Sequence, residues 1–234
     1  MAVVPIVALD FSKAEEASAM VRKLGESCSF YKVGSELFTV AGPAFVESLV
    51  KAGKQVFLDL KFHDIPNTVA GAVRNASSLG VSIVTVHASG GSAMLRAAVE
   101  SAAEAGSTCE IFAVTVLTSL DDTSLGAATG RPDVDVMREV ERLAQIAHAA
   151  QVNGVVCSGR EAHMIRMKHG TDLRLLIPGI RLAGDAAGDQ ARTVTPDEAA
   201  GAGANYIVVG RSVTRAADPT AAMGTVAAAL GKSA

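Results

Sequence analysis

The chain has 234 residues, of which 49% are apolar, 4% aromatic and 19% charged, with a formal net charge of −3. That balance excludes a disordered chain, collagen and a coiled coil. The small acidic excess (24 Asp and Glu against 21 Lys and Arg) argues against a general nucleic-acid binder.

No apolar run reaches the ~18 residues of a membrane helix. Met1 to Leu9 has no basic segment and runs straight into Asp10, so no signal peptide is expected. Cys28, Cys109 and Cys157 form no CxxC pair, which fits buried thiols in a reducing compartment, the cytoplasm. The length allows one or two domains and suffices for a large core, since a chain of this size buries roughly 70–75% of its unfolded surface.

In chain order, short apolar and β-branched runs recur at Val4–Leu9, Ser29–Val33, Gln55–Leu60, Ser82–Val86, Glu110–Val116, Gly154–Cys157, Arg174–Ile177 and Asn205–Val209. Helical spacing fills the intervals at Glu15–Leu24, Pro43–Ala52, Thr68–Leu79, Ser92–Ala105, Val136–Ala149, Arg160–Lys168, Pro196–Ala202 and Pro219–Leu230. Gly25, Gly53, Gly80, Gly106, Gly170 and Gly203 fall where helices end. Strands alternating with helices imply βαβ units and a parallel sheet covered on both faces. Eight strands in a chain this short match an α/β fold of the (β/α)8 TIM-barrel type, a single domain over residues 1–234. A doubly wound open sheet is the alternative, but Gly201-Ala202-Gly203 precedes a strand instead of following one, the wrong order for a dinucleotide fingerprint. The longest aperiodic stretches, Thr118–Asp133 and Arg181–Thr195, follow strands five and seven and are expected as loops on the C-terminal face. The second is rich in glycine and small residues, as a closing loop would be.

Charges gather at strand ends. Asp59-Leu60-Lys61-Phe62-His63-Asp64 closes an apolar strand, and the two-residue alternation puts Asp59 and Lys61 on one face. Asp64, two residues before Pro66, fits a helix N-cap or first-turn acid. Asp10 ends strand one and Lys32 lies near the end of strand two, so a barrel would bring Asp10, Lys32, Asp59 and Lys61 to one mouth. An isolated DxKxxD is most simply a surface ion pair with a helix cap; three consecutive charged strand ends favour a site. A lysine held charged between carboxylates is a poor Schiff-base nucleophile. It is a suitable cation for a developing carbanion and then a proton donor to it.

Pro178-Gly179-Ile180-Arg181 leaves strand seven. Gly210-Arg211-Ser212 leaves strand eight and opens a short helix. Barrel enzymes hold phosphate there, with glycine admitting the anion to the backbone and arginine offering a fork of donors. Solvated capping turns are the plainer reading of either segment alone. His87 ends strand four and could be a ligand, but reads more simply as a hydrogen-bonded supporting or core histidine, whereas His63 is expected to point away from Asp59 and Lys61. Thr118-Ser119 after strand five could bond a polar ligand edge or simply make a turn. No HxH, HExxH or Cys/His cluster proposes a metal.

These segments resemble orotidine 5′-phosphate decarboxylases of the bacterial type over essentially the whole chain. The resemblance is carried by Ala8-Leu9-Asp10-Phe11, Tyr31-Lys32-Val33-Gly34, the decapeptide Asp59 to Thr68, Val116-Leu117-Thr118-Ser119, Pro178-Gly179-Ile180-Arg181, Gly188-Asp189-Gln190 and Val209-Gly210-Arg211-Ser212. It implies a cofactor-free decarboxylation of orotidine monophosphate to uridine monophosphate, the last step of de novo pyrimidine synthesis. It also implies a network of Lys32, Asp59, Lys61 and Asp64, with Asp64 and Thr68 supplied by the second subunit of a homodimer. Asp59 would lie near the substrate carboxylate. Lys61 would stabilise and protonate the C6 carbanion, while Asp10 and Lys32 would hold the ribose hydroxyls. Thr118 or Ser119 would meet the pyrimidine edge. Pro178 belongs to the binding segment, and Arg181, Gln190, Gly210 and Arg211 would hold the phosphate. The four network charges sum to zero, leaving both arginines for the phosphate. Rivals on the same barrel are a metal-dependent phosphosugar decarboxylase or lyase, a Schiff-base aldolase through Lys61, and a non-catalytic phosphate binder. The first would want an acid where strand two carries Lys32.

Overall fold

The computed structural model describes residues 2–182 and 192–231, and all structural statements below concern these. In chain order the elements are β1 (Val4–Ala8), α1 (Ala14–Leu24), β2 (Phe30–Gly34), α2 (Ser35–Lys51), β3 (Gln55–Phe62), α3 (Pro66–Ser78), β4 (Ile83–His87) and α4 (Gly91–Glu104). They continue with β5 (Glu110–Val114), α5 (Asp122–Thr129), α6 (Val136–Ala149), β6 (Gly154–Val156), α7 (Gly159–His169), β7 (Arg174–Ile180), α8 (Pro196–Gly201), β8 (Tyr206–Val209), α9 (Arg211–Thr214) and α10 (Pro219–Gly231). All neighbouring strands pair in parallel, and β8 closes on β1 through Val4↔Tyr206 to Val7↔Val209. The expected TIM barrel is therefore present, and the open sheet is excluded by that closure.

Alternation along each strand divides the apolar residues into two cores. Val7, Val33, Leu58, Val84 and Ile111 face the helix layer. Ile6, Ala8, Phe30, Phe57, Ile83, Phe112, Val114 and Leu176 fill the barrel interior. The Phe112 ring fits because β6 carries glycine opposite it: a Cβ on Gly154 would lie 2.4 Å from that ring and 2.5 Å from the Arg174 carbonyl. The floor of the barrel is polar. Arg174 pairs with Glu110, and its guanidinium also lies 3.2 Å from the Tyr206 hydroxyl. The Tyr206 ring meets Phe30 and Phe112 edge-on at 6.0 and 5.7 Å. Chemistry thus belongs to the other end.

Two helical segments depart from the sequence expectation. The expected loop Thr118–Asp133 contains α5, because Asp121 and Ser124 form a capping box and Gly130 ends the helix at φ 67°. Helix α2 begins at Ser35, well before the expected Pro43, and kinks at Gly42 (φ 66°, ψ −174°). Pro43 demands that break, since its ring would clash within a continuous helix and Gly42 supplies the positive φ. The six glycines expected at helix ends all have positive φ.

Candidate active site

The C-terminal mouth of the barrel opens into a cleft of about 850 Å³, within the range of roughly 300–1,000 Å³ that suits a small-molecule ligand. Its lining includes Asp10, Lys32, Asp59, Lys61, Thr118, Ser119, Pro178, Gly179, Arg181, Gly210 and Arg211. Inward alternation explains much of this set: Lys32 follows Phe30, and Asp59 follows Phe57, on the interior face of their strands.

The cleft holds an alternating charge cluster. Lys32 Nζ lies 2.8 Å from Asp10 Oδ1 and 3.9 Å from Asp59 Oδ2, and the same Asp59 oxygen lies 2.8 Å from Lys61 Nζ. Asp59 and Lys32 side chains are each only 12% exposed, against 35% for Lys61 and 59% for Asp10, so Lys61 is the more accessible of the two lysines. A Cβ on Gly34 would lie 2.9 Å from Lys32 Nζ and 3.7 Å from Asp10 Oδ1, so the bare backbone makes room for that ammonium.

Asp59 and Lys61 meet, but not through plain strand alternation. The β3–β4 pairing runs Leu58↔Val84 and then Phe62↔Val86, so residues 59–61 oppose Thr85 alone. Lys61 takes φ 52° inside this bulge, a conformation that costs a lysine about 1–3 kcal/mol. Thr85, wholly buried, accepts the Lys61 backbone N–H at 3.0 Å and donates to Asp59 Oδ1 at 2.9 Å. Thr85 was not among the expected site residues. Its signal was a polar residue in an apolar run, on the inward parity of Ile83 and His87.

His63 and His87 stand side by side, ring centroids 5.3 Å apart, beyond Lys61. Burial, His63 and the Lys61 ammonium together push the His87 pKa below its ordinary value, favouring the neutral ring.

Asp64 does not cap α3. Pro66 occupies the first helical position, which makes Ile65 the N-cap, and the Asp64 carboxylate instead takes the Ile65 N–H at 2.6 Å. Asp64 and Thr68 are exposed and do not line this chain's cleft. Gln190 lies outside the described residues.

Three arginines also line the cleft, contributed by the segments that follow β7 and β8. Arg181, one residue past β7, and Arg211, the first residue of α9, are joined by Arg215. Glu16 and Glu36, which sequence reasoning also missed, border the same space. Arg192 is only 6% exposed. Its guanidinium pairs with the buried Glu161 and donates to the Leu117 carbonyl at 3.0 Å, one residue before Thr118. Val194 joins the same strand end, accepting the Arg181 N–H at 3.0 Å. Among the described residues no group of three His, Cys, Asp or Glu side chains could hold a metal ion.

Comparison with known proteins places this geometry in a family. The orotidine 5'-phosphate decarboxylase / HUMPS family model matches residues 4–226. The orotidine 5'-phosphate decarboxylase of Alcanivorax borkumensis is 48% identical over 225 residues, 96% of each chain. That of Alkalilimnicola ehrlichii is 49% identical over 220 residues, 93% of this chain and 92% of the other. The crystal structure of the Lactobacillus acidophilus orotidine 5'-phosphate decarboxylase superposes with a TM-score of 0.86 at 36% identity, covering 98% of this chain and 99% of that one. With the family model and these near-full-length relatives agreeing, the chain belongs to the orotidine 5'-phosphate decarboxylase / HUMPS family.

Proposed function

We propose that this protein is a carboxy-lyase that converts orotidine 5′-monophosphate to uridine 5′-monophosphate and CO2 in pyrimidine biosynthesis, without a cofactor. The observation that carries the reading is the presence in one cleft of an Asp10–Lys32–Asp59–Lys61 cluster and of two arginines outside that cluster's ion pairs, Arg181 and Arg211, a set suited to a ligand with a reacting anion and a phosphate. In this reading Arg181, Arg211 and the Gly210 backbone take the phosphate, with Gln190 completing the site. Asp10 and Lys32 hold the ribose hydroxyls, and Pro178 with Thr118 or Ser119 borders the pyrimidine. The substrate carboxylate lies toward Asp59. The C6–carboxylate bond breaks, its electron pair stays on C6, and a proton from Lys61 Nζ completes the product. The ammonium is in place before the charge develops, so stabilisation requires no reorganisation at the moment of reaction. Remote phosphate contacts supply binding energy that can be spent on the transition state.

We infer further that the working unit is a homodimer in which Asp64 and Thr68 enter the partner's cleft. Their exposure beside Ile65, itself 67% exposed, supports that placement. Three free, buried thiols support residence in the cytoplasm, and no described helix is long and apolar enough to cross a membrane.

The test is an ultraviolet assay with orotidine monophosphate after exhaustive EDTA treatment. Full turnover is expected. A divalent-ion requirement, or no loss of substrate absorbance, would overturn the assignment. Gly34→Ala supplies a second check. Its Cβ meets the flexible end of Lys32 instead of backbone, so the fold should hold while the ammonium moves. We expect kcat/KM to fall about 10- to 100-fold with an unchanged melting temperature; unaltered kinetics would show that Lys32 placement is not critical.

A further inference from the structure

We propose that Thr85 is the positioning residue that holds Asp59 and Lys61 in reactive register, one hydroxyl serving both. The inference rests on the decarboxylase reading and concerns a residue with no assigned part in it.

The hydrogen positions follow from chemistry. A backbone N–H can only donate, so the Thr85 oxygen must accept from Lys61 at 3.0 Å. An ionised carboxylate can only accept, so the Thr85 proton must point to Asp59 Oδ1 at 2.9 Å. The hydroxyl's single proton and one of its lone pairs are therefore committed. With Oδ1 fixed by Thr85, Oδ2 faces both ammoniums, Lys61 at 2.8 Å and Lys32 at 3.9 Å. The carboxylate can neither rotate nor swap oxygens without breaking a buried hydrogen bond.

The backbone supplies an independent argument. Three residues of β3 oppose this single residue of β4, and the ladder pairing lapses over 59–61. The Lys61 N–H in the bulge finds its acceptor in a side chain. That bond fixes the residue held at φ 52° and so the direction in which the Lys61 side chain leaves the strand. Valine has the shape of threonine but neither bond, and serine keeps both.

The experiment compares Thr85→Val, Thr85→Ser and Thr85→Ala in the full-length protein. Readouts are kcat, KM, affinity for uridine monophosphate, and affinity for a nucleotide analogue carrying negative charge at C6. Thr85→Val should lower kcat about 100-fold with KM and uridine monophosphate affinity within about threefold. Affinity for the charged analogue should fall in parallel with kcat/KM. Thr85→Ser should stay within about threefold of wild type throughout. If Thr85→Val does not fold, Thr85→Ala against Thr85→Ser gives the same contrast. The proposal is overturned if Thr85→Val or Thr85→Ala turns over like wild type, if Thr85→Ser is as impaired as either, or if affinities for both nucleotides fall together. Absence of decarboxylation by the wild-type protein would instead refute the assigned function, so the two failures are distinguishable.

Discussion

Lys61→Ala is expected to lower kcat by about 10⁵-fold while leaving the barrel folded. Two losses multiply: a positioned proton donor contributes ~10²–10⁴-fold and a preorganised countercharge ~10²–10³-fold. Both belong to one ammonium, 2.8 Å from Asp59 and facing the cleft. Little stability should go with it. The side chain is 35% exposed, and alanine relieves none of the core packing. Removing the lysine also leaves Asp59 with Lys32 and the Thr85 hydroxyl, so its charge keeps partners. Steady-state or single-turnover decarboxylation together with thermal denaturation checks both halves. Turnover within tenfold of wild type would remove Lys61 from the reaction.

Arg192→Met should destabilise the fold by about 3–5 kcal/mol, because it strands the buried Glu161 carboxylate without its countercharge. Glu161 would retain only its capping bond from the Ser158 N–H at 2.8 Å. The Leu117 carbonyl would keep the Leu120 N–H at 2.9 Å but lose its tie to Arg192, so KM for the phosphorylated substrate should rise through the Thr118 segment. Glu161→Gln keeps the cap and removes the charge. The double variant Arg192→Met/Glu161→Gln should lose at least about 2 kcal/mol less than the sum of the singles, as contacting charges do. Strict additivity in denaturant titrations would show that the pair contributes nothing as a pair.

Much of the fold was legible. Apolar β-branched runs recurring between helical stretches mark each strand, and the eight-membered count leaves few architectures. The strand-end charges were legible for the same reason: Lys32 and Asp59 sit on the parity of Phe30 and Phe57. Helix α5 went unread because its apolar spacing is weak, although Asp121-x-x-Ser124 and Gly130 mark both of its ends. The Asp64 cap was misread against a signal already present, since Pro66 as first helical residue fixes Ile65 as N-cap. The bulge was not legible at all. Nothing local to a lysine announces positive φ. That conformation is set by the neighbouring strand, where Val84 and Val86 fix the pairing on either side of Thr85.

The parity shared by core and site has a consequence for how this active centre can vary. A one-residue slip in the register of β2 or β3 would rotate Lys32 or Asp59 out of the barrel and drive Phe30 or Phe57 into the helix layer at the same stroke. Loss of activity and loss of fold are thereby welded together for changes in strand register. Loops beyond the strands escape that penalty, so tolerated length variation should fall after Asp10 and after Ser119. The strands themselves can drift only by substitution, one side chain at a time.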